Sequence, residues 1–490
     1  EKEIYDLRKS STKVNIIYQV TYDILLMILP FLTSPYIARV LGAEGLGIYS
    51  YYYSVATYFV LFSQLGLKNY GNRMIAKYRD DQNKVNELFS NMAMIHIIIS
   101  LLCVAVYVGY IFTVNENEKI YAIIMVAQVL GGLFDISWFY FGIENFKLTV
   151  FRSTVIKIIN VVCVFALVRD KGDLWLYCLI MALGMLFSQI TLWVPLKKYV
   201  KFVRPSWTKM VVHIRPMLVL FIPTIAVSLY KYMDKIMIGL ISSKVQLGFY
   251  ENAEKVINIP TTVISSFGTV MLPKMSNMVV KKDKSIVKKY TGVSMLYVMW
   301  LAYALTFGLA GVALVFAPIF WGEEFRISGF LIMGLALTIP FTSFANVIRT
   351  QYLIPTEKDR EFVVSVVSGS VVNLIINALL IPKYGAIGAV IGTIMAEITV
   401  CFIQCYVVRK ELQIWDYFKQ TIFFLGMGIV MFMVVFKLGD VLSVSIKTLV
   451  IQICLGAFIY CFGSFLCLYI KKEETFMSLL RTIKYKITRK

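Results

Sequence analysis

Charged side chains stand at helical spacings inside the apolar stretches of this sequence, and they are the residues with chemistry to do. Gln19 and Asp23 lie four residues apart, with Tyr18 and Tyr22 beside them. Lys231, Asp234 and Lys235 follow an i, i+3, i+4 pattern, and Glu251, Glu254 and Lys255 come next with Asn258 on the same face. Asp135, Arg152, Lys157 and Glu397 complete the set, and Arg39 stands at the end of the first stretch. A charge at mid-bilayer costs roughly 2.5–3.5 kcal/mol on the insertion scale, so each of these groups needs a counter-charge or a water-filled cavity.

Two arrangements meet that demand. In the first, Lys231 and Lys235 neutralise Glu251 and Glu254 across consecutive antiparallel helices, and Asp135 pairs with Arg152 or Lys157. In the second, the surplus cations Lys231, Lys235, Lys255, Arg152, Lys157 and Arg39 line a cavity with Tyr22 and attract an anionic headgroup. Asp23, Asp234, Glu397 and Asp135 are then the groups that would respond to H+ or Na+. Other chemistries lack raw material. The two histidines, His96 and His213, are far apart, and the eight cysteines form no CxxC pair. No metal, no cofactor and no catalytic triad are expected.

The elements that must position these residues follow from composition. The chain has 490 residues, is 59% hydrophobic and 16% charged, and has a mean hydropathy of +0.73. That leaves too little charge to coat a soluble domain of this length. Apolar runs of about twenty residues predict membrane-spanning α-helices rather than the alternating ten-residue segments of a barrel. About fourteen spans result, the first two at 14–38 and 46–66 and the last at 445–470. The net charge of +20 needs no nucleic-acid partner, because most of the 49 Lys and Arg fall in every second loop. The intervening segments hold only Arg39, Lys119, Arg169, Lys171, Lys244, Arg326, Lys383, Lys437 and Lys447. Retention of Lys and Arg on the cytoplasmic side then predicts both termini inside and an even number of spans.

A duplication is visible as well. Leu46-Gly47-Ile48-Tyr49 recurs as Leu247-Gly248-Phe249-Tyr250, 201 residues later, and the surroundings of Asn160 and Asn373 match loosely. Six spans separate the copies, so both halves enter the membrane in the same orientation, as in parallel-repeat transporters. The expected organisation is a cytoplasmic tail at 1–13, a six-helix lobe at 14–200 and a basic linker at 201–215. A second six-helix lobe at 216–410 follows, then two extra helices within 411–470 and a basic cytoplasmic tail at 471–490, with the lobes facing a central cavity.

The run from Pro35 through Arg39, Gly42, Gly45 and Gly47 to Tyr49 resembles the first loop of the bacterial oligosaccharide flippases. These form the polysaccharide-transporter branch of the multidrug/oligosaccharidyl-lipid/polysaccharide (MOP) exporter superfamily. Leu65-Gly66-Leu67 with Gly71 and Arg73 continues the resemblance. So do Asp234-Lys235 with Gly239, Gly248 and Tyr250, and Gln351 to Pro355 with Asn373, Asn377, Pro382 and Glu397. The resemblance implies a flippase in the bacterial cell membrane that carries an undecaprenyl-diphosphate-linked oligosaccharide to the outer leaflet by alternating access. Its product would feed capsule, teichoic acid or O-antigen assembly, with glycan polymerase machinery and membrane lipids as partners. The rival within the superfamily is a cation-coupled multidrug exporter. From another class, a membrane enzyme acting on polyprenyl-linked glycans would need a large external catalytic loop, and the external segments are short. If Lys231 and Lys235 hold an anionic substrate, reversing both charges abolishes transport while membrane insertion, followed by fractionation, is retained.

Overall fold

The structure, a computed structural model, describes residues 12–280, 284–470 and 477, with side chains for all of these except residues 12–28, 230, 280 and 284. The tails expected at 1–13 and 471–490 thus fall almost wholly outside the described residues. Every regular element among the described residues is helical. Hydrocarbon explains this: a chain crossing it must satisfy its backbone groups internally, and a helix does so within one segment.

In chain order the α-helices are α1 (Thr12–Gln64), α2 (Leu67–Tyr78), α3 (Gln82–Ile111), α4 (Lys119–Ile124), α5 (Val126–Leu133), α6 (Ser137–Gly142), α7 (Phe146–Leu167) and α8 (Leu174–Ile190). Then come α9 (Trp207–Met237), α10 (Lys244–Val280), α11 (Lys284–Trp321), α12 (Arg326–Ala336) and α13 (Thr338–Ile348). The last four are α14 (Asp359–Tyr384), α15 (Ala386–Val408), α16 (Ile414–Val441) and α17 (Ile446–Ile470). Single π-helical turns at Ile238–Ser242 and Arg349–Leu353 follow α9 and α13.

Twelve helical segments among the described residues are long and apolar enough to cross a membrane, from Gln82–Ile111 to Ile446–Ile470. Fourteen spans were expected. The first two, 14–38 and 46–66, fall on the two arms of α1, which is interrupted at Gly42 by a left-handed φ of 69° with ψ −178°. At 1.5 Å per residue an unbroken helix of 53 residues would run for about 80 Å, far beyond a hydrocarbon core of about 30 Å. The chain has to reverse there, and glycine is the residue that adopts this φ without a Cβ clash.

Two compact units divide the chain at Glu251 and Asn252, inside α10. The first is held by a core in which Phe89, Trp138, Phe139, Tyr140 and Leu192 are fully buried. Phe89 stacks on Trp138 with ring centroids 5.5 Å apart. In the second unit α11 packs on α12, α16 and α17, and α14 forms a tight hairpin with α15. The extra pair expected within 411–470 corresponds to α16 and α17. Large apolar side chains such as Phe112, Phe402 and Ile446 remain exposed on the helix flanks, as a lipid-facing surface requires.

The segment expected as a basic linker is non-helical only as far as Ser206 and is laced to α3. Asn86 Oδ1 accepts the Lys201 amide at 2.9 Å, Ser90 Oγ the Val203 amide at 3.0 Å, and Asn91 Oδ1 the Ser206 amide at 3.0 Å. From Trp207 the chain is helical, and α9 is tied back by Lys209–Glu87 at 2.9 Å and by His213 Nδ1–Tyr70 OH at 2.8 Å. Asn86, Ser90 and Asn91 are buried, so each hydrogen bond replaces water that cannot reach them. Replacing all three by Ala is expected to cost about 1 kcal/mol per lost bond. Limited proteolysis should then cut first between residues 200 and 206, and the melting temperature in detergent should fall.

Candidate functional site

Two helices of the first unit turn polar faces toward each other. On α7 the residues Thr149, Arg152, Ser153, Ile156, Lys157 and Asn160 recur at three- and four-residue intervals, while Phe151, Val155, Ile159 and Val162 point outward, with Phe151 69% exposed. On α8 the facing positions are Met181, Gly184, Met185, Ser188 and Gln189, again at helical spacing. Between them lies a cavity of about 510 Å³, closed by Tyr49 and Tyr53 from the second arm of α1, Lys68 from α2, and Asp135, Ser137 and Phe141.

Its charges are held in place. Arg152 sits against the C-terminal end of α8, where carbonyls have no partner within the helix. One guanidinium nitrogen donates to the Ser188 carbonyl and, at 3.4 Å, to Gln189 Oε1, and the other donates to Ser153 Oγ at 2.9 Å. Among the described residues Asp135 is held by neutral donors rather than in the expected ion pair with Arg152 or Lys157. Its two oxygens accept from Gln64 Nε2 at 2.7 Å and from the Ser137 amide at 2.9 Å. The cavity wall therefore carries three cations, Lys68, Arg152 and Lys157, against one carboxylate that is already hydrogen-bonded at both oxygens.

The other expected site residues lie elsewhere. Lys235 is buried and forms an ion pair with Glu251 at 2.8 Å, the side chains 11% and 14% exposed. Glu251 also accepts from Ser50 Oγ at 2.7 Å. Asp234, 2% exposed, accepts from the Tyr250 hydroxyl at 3.0 Å. Lys231 is exposed, with its ammonium 5.9 Å from the Tyr232 ring centroid, and Arg39 is exposed. Lys255, in the second unit, donates to Asn252 Oδ1 at 3.4 Å. Glu397 is buried on α15 in that unit and, among the described residues, makes no hydrogen bond or ion pair. Tyr22 and Asp23 lie on α1, and their side chains are outside those described.

Of the candidates, the cavity gathers Arg152, Lys157 and Asp135, and it adds Lys68, Tyr49, Tyr53, Asn160, Ser188 and Gln189. The polar stripe of α7 is a signal that a helical projection of the sequence carries. Lys68, Tyr49 and Tyr53 have no such signal, because they arrive from other helices. Mutual neutralisation of lysine and glutamate across consecutive helices is realised in Lys235 with Glu251. Glu251→Ala leaves the buried Lys235 ammonium without its counter-ion and is expected to destabilise the protein by about 3–5 kcal/mol. The double replacement Lys235→Met with Glu251→Met should recover most of that loss, read as melting temperature in detergent.

Residues 13–279 match the family described as polysaccharide biosynthesis protein. Among curated proteins, a putative O-antigen transporter of Escherichia coli (strain K12) is 24% identical over 415 residues, which cover 82% of this chain and 98% of that one. A putative O-antigen transporter of Shigella dysenteriae is 22% identical over 374 residues, 76% of this chain and 93% of that one. A probable low-salt glycan biosynthesis flippase of Haloferax volcanii is 24% identical over 258 residues, 52% and 54% of the two chains. Among solved structures, the lipid II flippase MurJ in an inward closed conformation superposes with a TM-score of 0.74 at 16% identity, over 94% of this chain and all of that one. An inward-facing multidrug resistance MATE family transporter of the MOP superfamily gives 0.62 at 13%, over 82% and 99%. The fold is that of these transporters, and with the profile covering more than half its length, the chain belongs to the polysaccharide biosynthesis protein family.

Proposed function

We propose that this protein is a flippase for a lipid-linked saccharide, moving an undecaprenyl-diphosphate-linked oligosaccharide from the cytoplasmic to the outer leaflet. The observation that carries the reading is the cationic cavity between α7 and α8. Polar walls inside a membrane unit are costly unless they serve a solute, and three cations facing one committed carboxylate favour an anionic one. A saccharide headgroup cannot enter hydrocarbon without losing its hydration, and hydroxyl and amide groups such as Ser188, Gln189 and Asn160 can replace that water. Tyr49 and Tyr53 offer flat apolar faces to sugar rings. Arg152, Lys157 and Lys68 then meet the diphosphate, while the polyprenyl chain stays in lipid.

Transport runs by alternating access between the lobes expected at 14–200 and 216–410, in the bacterial cell membrane with both termini cytoplasmic. Coupling to H+ or Na+ belongs to the same proposal. Glu397 is the strongest candidate, being buried without an ion-pair partner among the described residues, and Asp23, Asp135 and Asp234 stand behind it. The O-antigen transporters and the glycan flippase among its relatives support a saccharide cargo. A cationic drug would meet repulsion from the same three side chains, which disfavours the multidrug reading.

Deleting the gene is expected to make a lipid-linked saccharide accumulate on the cytoplasmic face, detected by extraction and mass spectrometry. Absence of such an intermediate would refute the flippase reading. In the complemented strain, Arg152→Gln with Lys157→Gln should lower flux about tenfold or more, the effect of losing charged hydrogen bonds to the substrate. Protein level in the membrane should stay at the parent value.

A further inference from the structure

The duplicated glycines meet. A Cβ on Gly47 would lie 1.7 Å from the Lys244 carbonyl oxygen, and a Cβ on Gly248 would lie 1.9 Å from the Ala43 carbonyl oxygen. Lys244 stands 201 residues after Ala43, and Gly248 stands 201 after Gly47, so the two contacts are images of one another under the repeat. The start of the second arm of α1 and the start of α10 therefore touch backbone to backbone, as helices in membranes do at small residues. Leu46 and Leu247, the preceding residues in each copy, are fully buried beside this crossing.

Polar contacts around the crossing break the symmetry. Ser50 and Glu251 are again 201 apart, and the serine donates to the carboxylate at 2.7 Å. Lys244 lies 3.2 Å from the Tyr51 ring centroid and 3.7 Å from Glu118 Oε2, and that carboxylate accepts from the Tyr52 hydroxyl at 2.7 Å. The Tyr51 ring fits against Gly239 of the π-turn, where a Cβ would come within 2.6 Å of it. Lys244 also donates to the Gly239 carbonyl at 3.2 Å.

These contacts fall into two groups. Lys235–Glu251 and Asp234–Tyr250 join α9 to α10 and hold that hairpin together. Ser50–Glu251, Lys244–Glu118, Lys244–Tyr51 and the glycine crossing join the hairpin to α1 and to the turn before α4. The second group is polar or backbone in character and lies at helix ends, so water can satisfy its members when they part.

We infer that the glycine crossing, Ser50–Glu251 and the Lys244–Tyr51–Glu118 cluster form a releasable latch that shuts the outer end of the transport path. In it Lys235 is a positioning residue that orients Glu251, rather than a substrate ligand. The inference rests on the transport reading and orientation proposed above, and it adds the contacts that must separate for the outer face to open. Tyr53, on the cavity wall less than two helical turns beyond Gly47, lies behind the latch.

The test uses the full chain in intact cells with Tyr53→Cys as a reporter, labelled from outside by a membrane-impermeant maleimide and read at that position by peptide mapping. Labelling should be slow in the reporter alone. Adding Lys244→Ala or Gly248→Ala should raise it about tenfold, the equilibrium shift that loss of one charge-assisted contact implies. Glu118→Cys with Lys244→Cys should raise it equally, and a short bis-maleimide bridge between those two positions should return it to the reporter's level. Unchanged labelling in Lys244→Ala and Gly248→Ala, or undiminished labelling after bridging, would overturn the latch. The glycine variant bears on the crossing, and the lysine and cysteine variants, which do not disturb it, keep the test decisive if Gly248→Ala fails to fold. The readout needs no substrate, so a failed latch is distinguishable from a failed flippase reading, which the accumulation experiment decides separately.

Discussion

Hydrocarbon does not hydrogen-bond, and most of this structure can be derived from that. Backbone groups are satisfied within helices, which removes sheets and long loops from the membrane-spanning part. Side-chain charges face the same demand and meet it in three ways. Lys235 finds a counter-ion in Glu251, Asp135 finds neutral donors in Gln64 and the Ser137 amide, and Arg152 finds carbonyls freed at the end of α8. Arg152 and Asp135 share one cavity wall with Lys68 and Lys157, so three cations and one carboxylate line it.

The same absence of water removes the hydrophobic effect as a force between helices, so contact area and close approach replace it. Glycine at 47 and 248 lets two backbones come together where any side chain would hold them apart. In the proposed latch the interface is built from backbone contact and a few polar pairs, groups that water can satisfy when they part. The two glycines stand at matching places in similar segments, Leu46-Gly47-Ile48-Tyr49 and Leu247-Gly248-Phe249-Tyr250. The polar members of the contact are then what distinguishes one copy from the other, serine at 50 and glutamate at 251.

Sequence reading was strong where the determinants are local. Twelve of the expected spans coincide with helices long and apolar enough to cross a membrane, and the first two fall on α1, since a run of about twenty apolar residues is its own specification. The reversal near residue 42 is also local, because one glycine with a left-handed φ suffices. The face of α7 that lines the cavity is legible in principle from the spacing of Thr149, Arg152, Ser153, Lys157 and Asn160, although Arg152 and Lys157 stand out in the sequence only as charges inside an apolar stretch.

Helices, their approximate limits, the loop-charge asymmetry and the presence of unusual intramembrane charges were thus determined by the sequence alone. Which charges meet was decided by tertiary structure. Lys235 and Glu251 are sixteen residues apart and Gln64 and Asp135 are 71 apart. Whether such groups touch depends on the rotation and crossing of helices, to which apolar periodicity gives only the buried face and not the partner. Lys68, Tyr49 and Tyr53 reach the cavity for the same reason, carried there by helices whose packing is set by many distant contacts at once.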